Sequence, residues 1–377
     1  MAFLAPTEEQ VDLRSTLQTY FAQRWPEAEM RRAAEADERT QSELWTSMAR
    51  DLGLHGLAIP EELGGGGFTF PDLLVVFEEM GRVLVSGPFF ATVAMAAPLL
   101  LALDDREVQE LLLPGIASGE RVVTVALVES EMSWDADLIR AVATGSGAER
   151  KLTGHKFFVL DGCLADTLLV VAKVDEGIGV LVVDADAPGV TITAMETIDA
   201  TRRQARVSFD DVASRMLRPG HSAADAVAHM CQLASIALAA EQVGGAQRAL
   251  DMTVEYVKLR EQFGRTIGSF QAVKHHLADL LVAVESARAA LAHAAASSTA
   301  SPADLAIAAS VAQSLCSEVY SAAADSTIHL HGGIGFTWEH PAHLYYRRAV
   351  SSEVLLGSPH HHRAKIASHL LDEKESS

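Results

Sequence analysis

Two segments of this chain hold residue types suited to gripping a diphosphate. The run Arg260-Glu-Gln-Phe-Gly-Arg-Thr-Ile-Gly-Ser-Phe-Gln271 is answered downstream by His329-Leu-His-Gly-Gly-Ile-Gly-Phe336, both within helix-rich sequence. The guanidinium of Arg260 is a planar fork of donors matched to pyrophosphate oxygens. Phe263 and Gly264 can pack close to such a ligand, and Gln271 supplies an amide nearby. Gly332 and Gly333 admit close backbone approach at a helix end, because they carry no Cβ. His329, three residues before the double glycine, can donate to a ribose or phosphate oxygen. The competing reading of Arg260 is a cation at a helix C-terminus, favoured by the macrodipole. The paired segment downstream favours the ligand.

One carboxylate is a candidate for proton transfer. Glu241 sits in the apolar run Leu238-Ala-Ala-Glu-Gln-Val-Gly-Gly245, where a lone glutamate must be paired or have a raised pKa. A general base meets that requirement; so does a structural hydrogen bond or an interface ion pair. Other clusters read more plainly. Glu78-Glu79 reads as a helix surface. His360-His-His362 reads as a solvated helix start, because consecutive residues do not converge easily on one tetrahedral ion; no metal site is expected. Gly64 to Gly67 precedes no Lys-Ser/Thr and follows no strand, so it reads as a flexible connection rather than a phosphate cradle.

Elements of three kinds must position these residues. Residues 7 to about 120 read as helices. Thr7-Glu-Glu-Gln10 has the form of a capping box, Leu44, Met48 and Leu52 share a face, and Pro71 restarts a helix after the glycines. From Val122 the period changes. Short β-rich runs at 122–128, 157–160, 167–172, 179–183, 190–193 and 205–209 alternate with Gly, Asp and Pro clusters. Six strands without intervening helices predict an antiparallel sheet or barrel. The helical period returns near Ala223, with long segments at 225–260, 270–297 and 302–330. The expected organisation is therefore helical (1–121), β-barrel (122–222) and helical again (223–377).

Bulk composition narrows the function. At 377 residues and 49% hydrophobic, the chain can bury a substantial core. A net charge of −20 argues against nucleic acid as a partner, though one basic pocket still suffices for an anionic substrate. No apolar run reaches the roughly 20 residues that span a bilayer, and the first residues lack a basic-then-apolar signal pattern. Cys163, Cys231 and Cys316 are not closely paired, which fits a reducing cytoplasm.

The two ligand-gripping segments, in this order, resemble the C-terminal half of the flavin-dependent acyl-CoA dehydrogenases. Gly56-Leu-Ala-Ile-Pro-Glu-Glu-Leu-Gly-Gly65 and Ser208-Phe-Asp-Asp-Val212 extend the likeness over nearly the whole chain. The resemblance implies an α+β fold with an N-terminal α-helical domain, a middle β-barrel domain and a C-terminal four-helix bundle. It implies FAD as cofactor, with its ADP half held across a subunit interface by Arg260, Phe263, Gln271, His329, Gly332 and Gly333. It implies tetramers, an acyl-CoA substrate and an electron-transfer flavoprotein or similar acceptor.

The chain departs from the family pattern where the flavin ring and the base are expected. In the stretch Val128-Glu-Ser-Glu-Met-Ser-Trp-Asp135, Val128 stands for a ring-bonding threonine and Trp134 for a serine; Leu160 stands for another threonine. Each exchange would leave a flavin group unpaired, at about 1–3 kcal/mol if buried; the alternative is that backbone amides alone serve the ring. The family's two positions for the base are Leu356 and Ala234 here, and Ser235 replaces an arginine that binds CoA. Glu241, nearly two turns beyond Ala234 on the same helix face, is the remaining candidate. The pattern is similar to actinobacterial heteromeric dehydrogenases that desaturate steroid side-chain CoA thioesters. It implies one subunit of an α2β2 heterotetramer, contributing the ADP-binding half of the FAD site. The alternatives are a homotetrameric dehydrogenase with Glu241 as base, or a catalytically inactive structural subunit.

Overall fold

The computed structural model describes residues 6–37, 43–129, 133–134, 138–175, 177–218, 220 and 222–375. Ser130, Glu131, Met132 and Asp135 of the expected flavin loop lie outside the described residues. In chain order come α1 (Glu8–Arg24), α2 (Glu27–Glu35), α3 (Glu43–Leu52), α4 (Phe70–Arg82), α5 (Ala97–Leu103) and α6 (Arg106–Ala117). The strands follow: β1 (Val123–Ala126), β2 (Val142–Thr144), β3 (Glu149–Leu160), β4 (Thr167–Val174), β5 (Gly177–Asp184), β6 (Val190–Ala194) and β7 (Gln204–Met216). Then come α7 (Ala223–Leu259), a hairpin of β8 (Glu261–Gln262) and β9 (Arg265–Thr266), α8 (Gln271–Ala296), α9 (Pro302–His331), α10 (Ala342–Val354) and α11 (Pro359–Glu375).

These elements form two compact units, with the division falling inside α7. One unit holds residues 1–30, 70–85 and 235–377. Its α1 starts at the expected capping box: Thr7 Oγ1 accepts from Gln10 N at 3.2 Å, and Gln10 Oε1 accepts from Thr7 N at 3.3 Å. The unit is organised on α9, against which α8, α10 and α11 all pack. Where α4 meets α7 the backbones nearly touch. A Cβ on Gly244 would lie 1.8 Å from the Glu78 carbonyl oxygen, so only glycine permits this approach.

Glu78 and Glu79, expected on a helix surface, are buried here instead. Arg14 from α1 engages both carboxylates, and Arg288 from α8 takes the second oxygen of Glu78. Burial would raise both pKa values. The two guanidiniums hold Glu78 below its ordinary value, whereas Glu79 stays raised. Three elements are thereby pinned at one point, which no reading of α4 alone could reveal.

The other unit, residues 31–69 and 86–234, contains the sheet. Strands β4, β2, β3, β7 and β5 pair in that order, and β5 pairs back to β4, closing a barrel. β1 adds to β4, and β6 to β7. The expectation of an antiparallel sheet needs correction: β1 and β2 both run parallel to β4. The short β2 and the first half of β3 were also not anticipated. Their burial alternates, with charged residues on the outer face of β3, so they lack the dense apolar signal of β4. The tetraglycine is likewise ordered rather than flexible. Gly65, Gly66 and Gly67 donate backbone bonds to Pro60, Gly56 and Ile59 at 2.8–3.1 Å.

The segment from Phe89 is buried, and within it Phe90–Ala96 is a π-helical turn running into α5. Part of α7 is long and apolar enough to cross a bilayer, contrary to expectation; 61% of that window is buried within the protein, as a core helix requires. The three-histidine run also divides. His360 is exposed, whereas His362 is buried, with Nδ1 3.3 Å from Ser310 Oγ.

Candidate functional site

α7 ends at Leu259, and the chain turns at once into the two-stranded hairpin. Its two-residue tip is Phe263-Gly264, with φ of +56° and +75°. Both positive values match the turn that a right-twisted hairpin prefers, and for phenylalanine this backbone is strained. The Phe263 ring is 92% exposed. Phe270 meets it edge-on at 6.3 Å, and the Arg265 guanidinium lies 3.9 Å over Phe270. Arg260 immediately precedes the hairpin and Gln271 opens α8; both are exposed.

The second segment caps α9. Tyr256, one turn before Arg260, donates its hydroxyl to the carbonyl of His331 at 3.3 Å. This bond brings the C-terminal ends of α7 and α9 together, so the two sequence segments share one end of their unit. Gly332 then takes φ +62° and ψ −137°, a conformation available almost only to glycine. Gly333 has no such backbone demand, and a Cβ there would meet nothing within 4 Å. Its own chain therefore gives no reason for glycine, whereas a ligand pressed to the backbone does. His329, Phe336 and Trp338 are exposed around this turn. A fork of guanidinium donors, an amide, an imidazole and an open glycine turn fit the pyrophosphate and ribose of a dinucleotide.

Among the described residues, the expected ring positions offer no comparable set. Val128 and Leu160 are buried. The Val128 carbonyl accepts from Phe157 N at 2.8 Å, and the Leu160 carbonyl accepts from Thr124 Oγ1 at 2.7 Å. The apolar side chains give these positions no donor for a polar ring, and each carbonyl already accepts one hydrogen bond. Trp134 is half-buried. Beside Val128 lies a pair that sequence reading missed. Lys156, fully buried, donates to Glu129 Oε1 at 2.8 Å and to the Leu127 carbonyl at 3.0 Å. Burial pulls the Lys156 pKa down to about 8, although Glu129 opposes that shift. Glu129 also accepts from the backbone N–H groups of Arg140 and Ala141.

Glu241 is buried in α7 and ion-paired with Arg348 of α10, itself buried. Arg348 also reaches the Val85 carbonyl at 3.4 Å. The Arg348 guanidinium already occupies one oxygen of this carboxylate. The geometry favours the ion-pair reading that the sequence left open beside the catalytic one. Leu356, at the other base position, is buried with φ +62° and is followed by Gly357 at +111°. Ala234 and Ser235 are buried as well. No group of three or more His, Cys, Asp or Glu suited to a metal occurs among the described residues.

Residues 7–120 match the family described as acyl-CoA dehydrogenase, N-terminal domain, and residues 225–371 match acyl-CoA dehydrogenase, C-terminal domain. The acyl-CoA dehydrogenase IpdE2 of Mycobacterium tuberculosis is 35% identical over 356 residues, covering 94% of this chain and 95% of the relative. The chain belongs to the acyl-CoA dehydrogenase family. This makes it an FAD-dependent oxidoreductase of that type, with N-terminal helices, a closed middle barrel and a C-terminal helical bundle. Two solved structures extend the likeness. A variant of the Tcur3481–Tcur3483 steroid ACAD matches with TM-score 0.88 and 34% identity, over 98% of this chain and 99% of the other. The ChsE4–ChsE5 complex of Mycobacterium tuberculosis matches with TM-score 0.89 and 30% identity, over the same shares. The α7–α9 end of this acyl-CoA dehydrogenase offers donors suited to the ADP half of the family's FAD, while the Val128 and Leu160 side chains offer its ring none.

Proposed function

We propose that this chain is one subunit of a heteromeric acyl-CoA dehydrogenase, an α2β2 assembly with a homologous partner. Its part is to hold the ADP half of FAD that rests its ring on the partner. The observation that carries this reading is the contrast within one chain: Phe263 and Gly333 are open at the ADP end, while Val128 and Leu160 are closed and apolar at the ring end. Arg260 binds pyrophosphate oxygens, Gln271 and His329 bond the ribose or phosphates, and Phe263 packs on the cofactor. Gly332 and Gly333 let the backbone approach. FAD, when bound, supplies the acceptor for the β-hydride of an acyl-CoA thioester. Glu241 and Arg348 hold α7 to α10, leaving the α-proton to a group on the partner.

The likeness to a steroid ACAD supports a steroid side-chain CoA ester as substrate. An electron-transfer flavoprotein or similar acceptor and a cytoplasmic location complete the proposal. The test is flavin stoichiometry. The chain expressed alone is expected to be nearly colourless, and co-assembly with the partner to give about one flavin per two chains. Full FAD occupancy in a homotetramer of this chain would overturn the heteromer. An assembly that reduces no acceptor with any acyl-CoA, sterol thioesters included, would make the chain a structural subunit.

A further inference from the structure

The double-glycine turn is held by a stack of aromatic rings. The imidazole of His331 stacks on Tyr256, with ring centroids 4.3 Å apart and planes at 26°, and meets His340 tilted, at 4.3 Å and 41°. His331 Nδ1 sits 2.7 Å from the Thr327 carbonyl. A carbonyl only accepts, so Nδ1 carries the proton. Burial lowers the His331 pKa, consistent with a neutral ring. Thr327 is fixed in turn, its hydroxyl 2.9 Å from Thr253 Oγ1 on α7 and 2.8 Å from the Ala323 carbonyl. The His331 main chain is held as well, since its carbonyl accepts from the Tyr256 hydroxyl. Both the side chain and the peptide group leading into Gly332 are therefore tied to α7 or α9 before any ligand arrives.

We infer that the Tyr256–His331–His340 stack presets the Gly332–Gly333 turn for the dinucleotide, with His331 as a positioning residue. The inference rests on the reading that this turn meets the ADP half of FAD. Its physical basis is preorganisation: a turn fixed beforehand spares the ligand the cost of ordering it. The Tyr256 hydroxyl orients the peptide plane, and the stack prevents the end of α9 from fraying into another cap.

The experiment uses the flavin-loaded assembly and compares wild type with Tyr256→Phe, His331→Ala and His331→Phe. FAD dissociation is followed by flavin fluorescence on dilution, and the thermal midpoint of the apo assembly is recorded in parallel. Tyr256→Phe keeps the rings and removes one bond. It is expected to weaken FAD about three- to tenfold with the apo midpoint unchanged. His331→Ala is expected to weaken FAD more than about tenfold, and His331→Phe to restore part of that loss through stacking. Variants that lower the apo midpoint but leave FAD affinity intact would overturn the inference. Should His331→Ala fail to fold, Tyr256→Phe decides alone. Gly333→Ala separates the two layers. If it expels FAD while Tyr256→Phe and His331→Ala do not, only the positioning role falls. If none of the four variants changes FAD affinity, the ADP-holding role of this turn falls with it.

Discussion

His55 is a buried base with nothing to bond. Its side chain has no solvent exposure, Trp45 stands edge-on at 4.0 Å and Phe89 at 5.2 Å, and neither ring nitrogen has a hydrogen-bond partner among the described residues. Burial pushes its pKa down to about 3, from an ordinary 6.5. Above pH 6.5 the ring is neutral whether the chain is folded or not, and its contribution to stability is fully present. As pH falls from 6.5 toward 3, the unfolded chain takes up a proton that the folded chain refuses. Stability then declines by about 1.4 kcal/mol per pH unit, or about 2 kcal/mol by pH 5. His55→Phe removes both orphaned nitrogens and this proton. We expect the variant to match or exceed wild-type stability at pH 7.5. At pH 5 its advantage should widen by about 2 kcal/mol, read from thermal or urea unfolding of the assembled protein. An equal pH dependence in both proteins would show that His55 is protonated in the folded state.

Between elements, the Glu241–Arg348 pair ties α7 to α10, and its two halves are not equivalent to a surface salt bridge. Arg348→Met strands a buried carboxylate and should cost about 3–5 kcal/mol, whereas replacing both residues with apolar ones should recover most of that loss. Glu241→Gln should lower the thermal midpoint but leave turnover of the flavin-loaded assembly within about 10²-fold of wild type, the least that losing a general base typically costs. A larger fall in turnover, at unchanged flavin content, would return Glu241 to the role of base. This pair also marks the limit of what the sequence makes legible. Capping at Thr7, the long helical periods and the apolar core strands are local patterns, and they were readable as such. Glu241 could be read as needing a partner, but its partner lies 107 positions away. The same holds for Glu78 and Arg288, and for Tyr256 and His331, where helix packing decides who meets whom. The residues proposed for the ADP side come from glycine and arginine spacing, which is itself local. Strand direction was not, because parallel pairing of β1 and β2 with β4 depends on connections that composition does not encode.

For the whole molecule, two opposing surface properties set how the isolated chain behaves. Its net charge of −20 makes copies repel, yet Leu259, Phe263, Phe336 and Trp338 stand exposed on a single unit, at or beyond the ends of α7 and α9. Repulsion reaches about 30 Å at 0.01 M salt but only about 3 Å at 1 M. Apolar attraction is not screened in this way. The isolated chain should therefore stay monomeric at low salt and self-associate as salt is raised, measured by sedimentation velocity across that range. Phe263→Ser together with Trp338→Ser should suppress the association, and adding the proposed partner should compete with it by covering the same aromatics. A chain that remains monomeric from 0.01 to 1 M salt would mean that these rings are scattered surface residues, which are common in monomers, and that partner binding draws on other contacts.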